Sequence, residues 1–117
     1  MSKGETVEAI LAEYQATLES MSALGVDSPR AHNRLFRKAH VLAKSLRASA
    51  EGRAAIEGII ASPDVTVALN AASEALAWDC QLSLVRLEEI ERAAGLDAVS
   101  AHYTLKAYRE GTLNLDW

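Results

Sequence analysis

Apolar residues recur every three or four positions along most of this chain, which is the spacing of one face of an α-helix. Breaks rich in Gly, Pro, Ser and Asp separate the apolar stripes from one another. The first stripe consists of Val7, Ile10, Leu11, Tyr14, Leu18 and Met21. The pattern as a whole predicts six helices joined by short loops.

Capping residues predict where the first helix begins and ends and where the second begins. Ser2 and Glu5 have the spacing of a capping box, and Gly25 favours the left-handed conformation found at helix ends. In Ser28-Pro29, an N-cap residue precedes a proline at the first helical position. We therefore expect a short connection between these two helices.

Helix two has two faces of opposite character. We predict that it runs to about Ala50 and that Gly52 ends it. Its apolar arc consists of Leu35, Phe36, Ala39, Leu42, Ala43 and Leu46. Its basic arc consists of Arg30, Arg34, Arg37, Lys38, Lys44 and Arg47, with Asn33 and His40 at the edge. This segregation predicts that one arc packs in the core and the other faces solvent.

The stretch from Ser62 to Leu76 predicts the helix at the centre of the core. A Ser-Pro-Asp break opens this stretch, and small residues dominate the rest of it. Its apolar face is Val65, Ala68, Leu69, Ala72 and Leu76, with Ala71 and Ala75 on the flanks and Val67 opposite. Because alanine lets neighbours approach closely, we expect other helices to cover this one from more than one side.

The other three helices are shorter. Helix three is predicted over residues 53–61, Asp79 is expected to cap helix five, Asp97 to cap helix six and Gly111 to end it. The expected inward residues are Ile56, Ile59 and Ile60, then Cys80, Leu84, Leu87, Ile90 and Ala94, then Ala98, Ala101, Leu105 and Tyr108. The last residues, 113–117, alternate apolar and polar, so we expect an extended tail that lies against the body or reaches a partner through Trp117.

Six helices with short loops predict an all-α fold of three stacked antiparallel pairs, a short helical solenoid, with a compact helical bundle as the alternative. Ala72 and Leu76 recur as Ala101 and Leu105, 29 residues later, which favours a repeat. The length of 117 residues fits a single domain, with residues 112–117 as its tail.

Two resemblances agree with this fold. Asp64, Val67, Ala71-Ala72 and Leu76 resemble the second helix of a HEAT repeat, although Ala68 stands where such repeats commonly have arginine. A longer pattern resembles the bacterial family known as domain of unknown function twenty-nineteen; its segments are Asn33-Arg34-Leu35-Phe36, Gly52-Arg53, Ser62-Pro63-Asp64, Leu87-Glu88-Glu89-Ile90 and residues 104–111. This resemblance extends from helix one to Gly111 and implies a small HEAT-like protein without catalytic residues to transfer. Proteins of this kind are similar to small immunity proteins encoded beside secreted toxins.

The sequence contains no pattern of residues that carries chemistry. His32, His40 and His102 lack metal-ligand spacing, and the single cysteine, Cys80, excludes an internal disulfide and lies on an apolar stripe. The start of the chain lacks the apolar segment of a secretory signal, and no apolar run reaches membrane-spanning length. We therefore predict a cytoplasmic protein that is not an enzyme and has no catalytic residue, metal or cofactor.

Charge is distributed unevenly along the chain. Residues 30–53 hold seven of the twelve Lys and Arg against one acid, Glu51, whereas residues 54–117 carry a net charge of −6. A concentrated basic face on an acidic protein is either a solvated surface balanced by its neighbours or a docking surface for an acidic or phosphate-bearing partner.

These observations predict a protein-binding module, most concretely an immunity-type inhibitor that occludes a secreted toxin domain. The expected binding residues are the steering charges Arg34, Arg37, Lys38, Lys44 and Arg47 and the apolar pair Val99 and Tyr103. A nucleic-acid binder that uses the same basic face is an alternative, but that face lacks interleaved aromatics and its flanks are acidic. A scaffold or oligomerisation domain is another. We expect a protein partner rather than nucleic acid or a membrane, and a monomer or weak dimer.

Overall fold

The computed structural model describes residues 6–24 and 28–117. In these ranges the chain forms six α-helices and no strand, which confirms the all-α prediction. The helices are α1 (Val7–Leu24), α2 (Pro29–Leu46), α3 (Ala50–Ile59), α4 (Val65–Ala75), α5 (Gln81–Arg92) and α6 (Leu96–Glu110). The predicted capping box at Ser2 and Glu5 and the predicted stop at Gly25 lie outside the described residues.

The chain divides into two compact units, Met1–Ile56 and Glu57–Trp117, and α3 runs through the boundary between them. The single domain expected from the chain length stays a prediction.

In the first unit α1 packs along α2. The α1 backbone N–H of Ala9 donates to Thr6 Oγ1 at 3.1 Å, so Thr6 caps this helix. The buried residues of the two helices are Tyr14, Thr17, Leu18 and Met21 in α1 and Ala39, His40, Ala43 and Leu46 in α2. The apolar stripes predicted these faces, but His40, expected at the edge of α2, is buried. Ser28 and Pro29 take the predicted N-cap and first helical positions.

The predicted end of α2 was wrong. The helix ends at Leu46, and Gly52 lies inside α3. Ser49 starts the new helix, because its Oγ accepts the backbone N–H of Gly52 at 3.0 Å and its carbonyl accepts that of Arg53 at 3.0 Å. The glycine therefore acts as a point of close approach to Leu46 and not as a helix stop. Helix three accordingly starts before the predicted residue 53 and ends before residue 61.

In the second unit α4 is buried over most of its circumference. Asp64 Oδ1 caps the helix by accepting the backbone N–H groups of Thr66 at 3.1 Å and Val67 at 3.2 Å. The buried residues are Val67, Ala68, Leu69, Ala71, Ala72, Glu74 and Ala75. Val65, predicted on the apolar face, is 41% exposed because it is the first residue of the helix, whereas Val67 on the opposite side is buried. The expectation of close cover on more than one side is confirmed.

Side-chain contacts fix the directions of α5 and α6, which pack against each other. His102 Nδ1 lies 2.7 Å from Glu91 Oε2, and Arg109 Nη2 lies 2.7 Å from Glu88 Oε2. A later residue of α6 therefore meets an earlier residue of α5, so the two helices are antiparallel, as predicted. The inward residues Leu87 and Ile90 of α5 and Ala101 and Leu105 of α6 are buried. Ala94, predicted to be inward, is exposed because α5 ends at Arg92.

Two longer-range hydrogen bonds align α6 with α4. Near the start of α6, Asp97 Oδ2 accepts a hydrogen bond from the Thr66 hydroxyl at 3.0 Å. Near the end of α6, the Tyr108 hydroxyl donates a hydrogen bond to Asp79 Oδ1 at 2.6 Å. The start of α6 thus lies near the start of α4, and the end of α6 lies near the turn that follows α4. The two helices therefore run parallel, and α5 is antiparallel to both. Both cap predictions were wrong. The N-cap residues of α5 and α6 are Cys80 and Gly95, since Asp79 lies one residue before the cap of α5 in the left-handed conformation and Asp97 lies inside α6.

Gly111 ends α6 in the left-handed conformation, with φ of 76°, as predicted. The tail after this glycine, residues 112–117, has no regular secondary structure. Leu113 and Leu115 are half-buried, whereas Trp117 is exposed. The alternation of apolar and polar residues in the tail therefore corresponds to alternating burial without a strand.

Candidate functional site

The described residues offer no candidate metal site. In residues 6–24 and 28–117 no group of three His, Cys, Asp or Glu side chains could hold a metal ion. Cys80 is a free, buried thiol at the start of α5. No helix in the same ranges combines the length and the hydropathy that crossing a membrane requires. The two candidate sites that follow are exposed surfaces.

The first surface, the α2 basic face, consists of Arg30, Arg34, Arg37, Lys38, Val41 and Lys44. At helical spacing these residues lie opposite the buried residues Ala39, Ala43 and Leu46. The helix contains no acidic residue from Pro29 to Leu46. Apart from Arg47, the basic arc predicted from the sequence is thus the solvent side of the helix.

The basic side chains of this face differ in their surroundings. Lys38 Nζ lies 3.3 Å from Glu13 Oε2 of α1. Arg34 and Arg37 are exposed and form no ion pair within the described residues. Lys44 is half-buried. Arg47 is half-buried and lies just beyond the end of α2, outside the α2 basic face. Its carbonyl oxygen accepts a hydrogen bond from Arg53 Nη1 at 2.8 Å.

Val41 is the residue of this face that the sequence analysis missed. Its side chain is 62% exposed. Arg37 and Lys38 precede it by four and three positions and Lys44 follows it by three, so all three are its neighbours on the helix surface. An isolated valine among basic residues gives no periodic signal. Its position on the wheel, outside the apolar arc, could have identified it.

The second surface, the α6 outer stripe, consists of Leu96, Val99 and Tyr103. Their side chains are 66%, 53% and 62% exposed, and their spacing places them on one face of the helix. The buried Ala101 and Leu105 lie on the opposite face. The structure therefore places the predicted pair Val99 and Tyr103 in solvent and adds Leu96. Leu96 was not predicted as part of this surface because the helix was expected to begin after Asp97.

Most basic side chains of the second unit lie within ion-pair distance of an acid. Residues 57–117 contain ten acids and four Lys and Arg. Three of the four cations lie within ion-pair distance of a glutamate, in the pairs Arg86–Glu89, Lys106–Glu110 and Arg109–Glu88. The excess of acids leaves the unit negative.

The hydrogen bond between Tyr108 and Asp79 shifts the pKa of the tyrosine. It raises the pKa of the Tyr108 phenol above its ordinary value of 10.0, with smaller contributions from desolvation and from the charge of Asp79. The bond holds the end of α6 to the residue after the 3₁₀ turn Leu76–Trp78, and Asp79 takes the left-handed conformation there, with φ of 55°. The Trp78 indole N–H donates to Glu57 Oε2 at 2.8 Å, which fixes the same turn.

Comparison with known proteins yields no match to a family model, to a curated protein or to a solved structure. The resemblances to HEAT repeats and to the family twenty-nineteen therefore stay predictions.

Proposed function

We propose that this chain is a protein-binding module of the immunity type, which binds a toxin domain and blocks its active site. The α6 outer stripe is the observation that supports this proposal. Scattered single apolar residues are normal on protein surfaces. Three on one helix face, directly opposite the core face, form an apolar ridge that a partner can bury.

Tyr103 is the expected anchor of this ridge. Tyrosine is enriched among the residues that dominate binding energy, since it combines a large apolar ring with a hydroxyl that can hydrogen-bond. Val99 lies four positions before Tyr103 and Leu96 lies seven before it, so a partner groove that accepts the ring also meets both aliphatic side chains. Contact of this kind can cover the active site of a partner without any chemical reaction by the inhibitor.

The α2 basic face supplies the second element of the proposal. Exposed arginines raise the association rate with an oppositely charged partner and have a smaller effect on the dissociation rate. Such steering suits an inhibitor that must reach its target before the target acts. The same face supports the alternative proposal of nucleic-acid binding, which predicts measurable affinity for a DNA or RNA oligonucleotide in low salt and a steep loss of affinity as salt rises.

The proposal is tested with the product of the neighbouring reading frame. Expression of that product alone should stop growth, and co-expression of this chain should restore it. Tyr103→Ala should weaken the complex by roughly 30-fold, the size of a binding hot spot. Val99→Ala should weaken it as well, whereas Val85→Ala, at a similarly exposed valine of α5, serves as the matched control.

Two results would refute the proposal. In one, the neighbouring product does not harm cells, so there is nothing for this chain to neutralise. In the other, the variant Val99→Asp with Tyr103→Asp folds normally by circular dichroism and still neutralises the toxin with native affinity.

A further inference from the structure

We infer that the α2 basic face is a docking surface for an acidic protein segment that presents an apolar side chain to Val41. The inference rests on the proposed function and specifies the chemistry of the partner. It assigns to Val41 the role of an apolar anchor and to Arg34 and Arg37 the role of charge partners.

Within α2 no acid offsets the basic residues, and among these Lys38 pairs with Glu13 of α1. The N-terminus of a helix carries partial positive charge, and α2 has no acid in its first turn to offset it. Arg30 and Arg34 add positive charge near this end, and Arg34 and Arg37 form no ion pair within the described residues. In the second unit, by contrast, most cations contact a glutamate. An acidic partner would relieve the excess positive charge, so charge complementarity favours this class of occupant.

The apolar centre of the face favours protein over phosphate. Protein interfaces combine a desolvated apolar centre with a polar rim, and Val41 with Arg37, Lys38 and Lys44 around it has this arrangement. Contacts with a phosphate backbone need only donors and positive charge, for which an exposed valine offers nothing. Single-stranded nucleic acid also needs aromatic platforms, and the α2 basic face contains no aromatic residue.

The experiment uses the full chain and three fluorescent probes. The first is a short helical peptide with leucines at helical spacing flanked by glutamates, the second is the same peptide with serine in place of leucine, and the third is a single-stranded DNA oligonucleotide of equal charge. Binding is followed by fluorescence anisotropy between about 50 and about 200 mM salt, a range over which exposed charges become strongly screened.

The leucine peptide should bind more tightly than the other two probes. Arg34→Gln with Arg37→Gln should weaken its binding and flatten the salt dependence. Val41→Ala should weaken binding of the leucine peptide roughly tenfold, the effect of removing two buried methyl groups, and should leave the serine peptide unaffected. Val85→Ala and Arg92→Gln, at exposed positions of α5, are the matched controls and should bind as the native chain does.

Three outcomes would overturn the inference. The Val41→Ala variant could bind the leucine peptide as tightly as the native protein does, or the oligonucleotide could bind more tightly than the leucine peptide. In the third outcome, light scattering in low salt gives a mass above the monomer that the double arginine variant reduces. The last result would assign the face to a second copy of this chain. Failure here can be distinguished from failure of the proposed function, because neutralisation of the toxin is tested through Tyr103 on a different helix. A toxin complex that needs Tyr103 but tolerates Val41→Ala and the arginine variant leaves the function standing and removes this inference.

Discussion

Gly52 and Gly58 lie in the same helix, and replacing each with alanine should have opposite effects on stability. A Cβ built on Gly52 would lie 1.8 Å from the carbonyl oxygen of Leu46 and 2.5 Å from its carbonyl carbon. A Cβ on Gly58 would meet nothing within 4 Å. Gly58→Ala therefore measures the effect of helix propensity on stability alone. Gly52→Ala adds the cost of the clash between α3 and the end of α2.

The magnitudes follow from these distances. Ordinary contact begins at 3.4 Å, so the backbone of Leu46 or of α3 would have to move by more than 1 Å. Both atoms in the clash belong to the backbone, so no side chain can rotate away, and Leu46 itself is fully buried. We expect Gly52→Ala to cost about 3 kcal/mol or more, reduced by a helix-propensity gain of about 1 kcal/mol. Gly58→Ala has only the gain, about 0.5 to 1 kcal/mol.

Thermal unfolding followed by far-ultraviolet circular dichroism measures both variants. For a chain of this size about 1 kcal/mol corresponds to about 4 °C in the midpoint. Gly52→Ala should therefore melt at least ~8 °C below the native protein and Gly58→Ala ~2 to 4 °C above it. A Gly52→Ala variant as stable as the native chain would refute the close approach to Leu46. A large loss of stability in Gly58→Ala would show instead that this end of α3 is not an open helix.

Three further predictions concern hydrogen bonds in the second unit. Asp64→Ala removes the cap of α4 and should cost about 1 kcal/mol in urea unfolding, whereas Asp64→Asn should retain most of it. The buried Ser83 hydroxyl has no hydrogen-bond partner within the described residues, so Ser83→Ala should be neutral or stabilise the protein by up to about 1 kcal/mol; a large loss would reveal a hidden partner. The bond to Asp79 raises the pKa of Tyr108, so the folded state holds the phenolic proton more tightly than the unfolded state. The stability difference between the native chain and Tyr108→Phe should thus be present below pH 10.0 and shrink above it, and a difference that stays constant at high pH would contradict the role of this bond.

The sequence predicted those features that depend on local periodicity. The inward faces of α1, α2 and α6 were correct apart from single residues such as Phe36 of α2, which is 40% exposed. Each apolar stripe repeats several times, so an error at one position does not move the face. The exposure of Val99 and Tyr103 was predictable from the same periodicity, since both lie off the stripe that contains Ala101 and Leu105. The outward position of the α2 basic arc was predictable in the same way.

Single residues at the ends of helices were not predictable by this means. Gly52 has the composition of a helix stop, but Ser49 starts a new helix three residues earlier and places the glycine inside it. Glycine permits either a left-handed turn or a close approach of two backbones. The sequence does not distinguish these uses, because the second depends on where the carbonyl group of Leu46 lies after folding.

The two residues wrongly predicted as caps share one feature, and it bears on the proposed binding surface. Asp79 and Asp97 have the side chain of a helix cap, but hydroxyl groups 29 and 31 residues away, on Tyr108 and Thr66, take the two carboxylates. These bonds hold α6 at both ends against α4 and the turn after it. A helix fastened at both ends cannot rotate about its axis without losing both bonds, so the face that carries Tyr103 is kept toward solvent. The two aspartates that were wrongly predicted as caps therefore help to keep the α6 outer stripe exposed, as the proposed function requires.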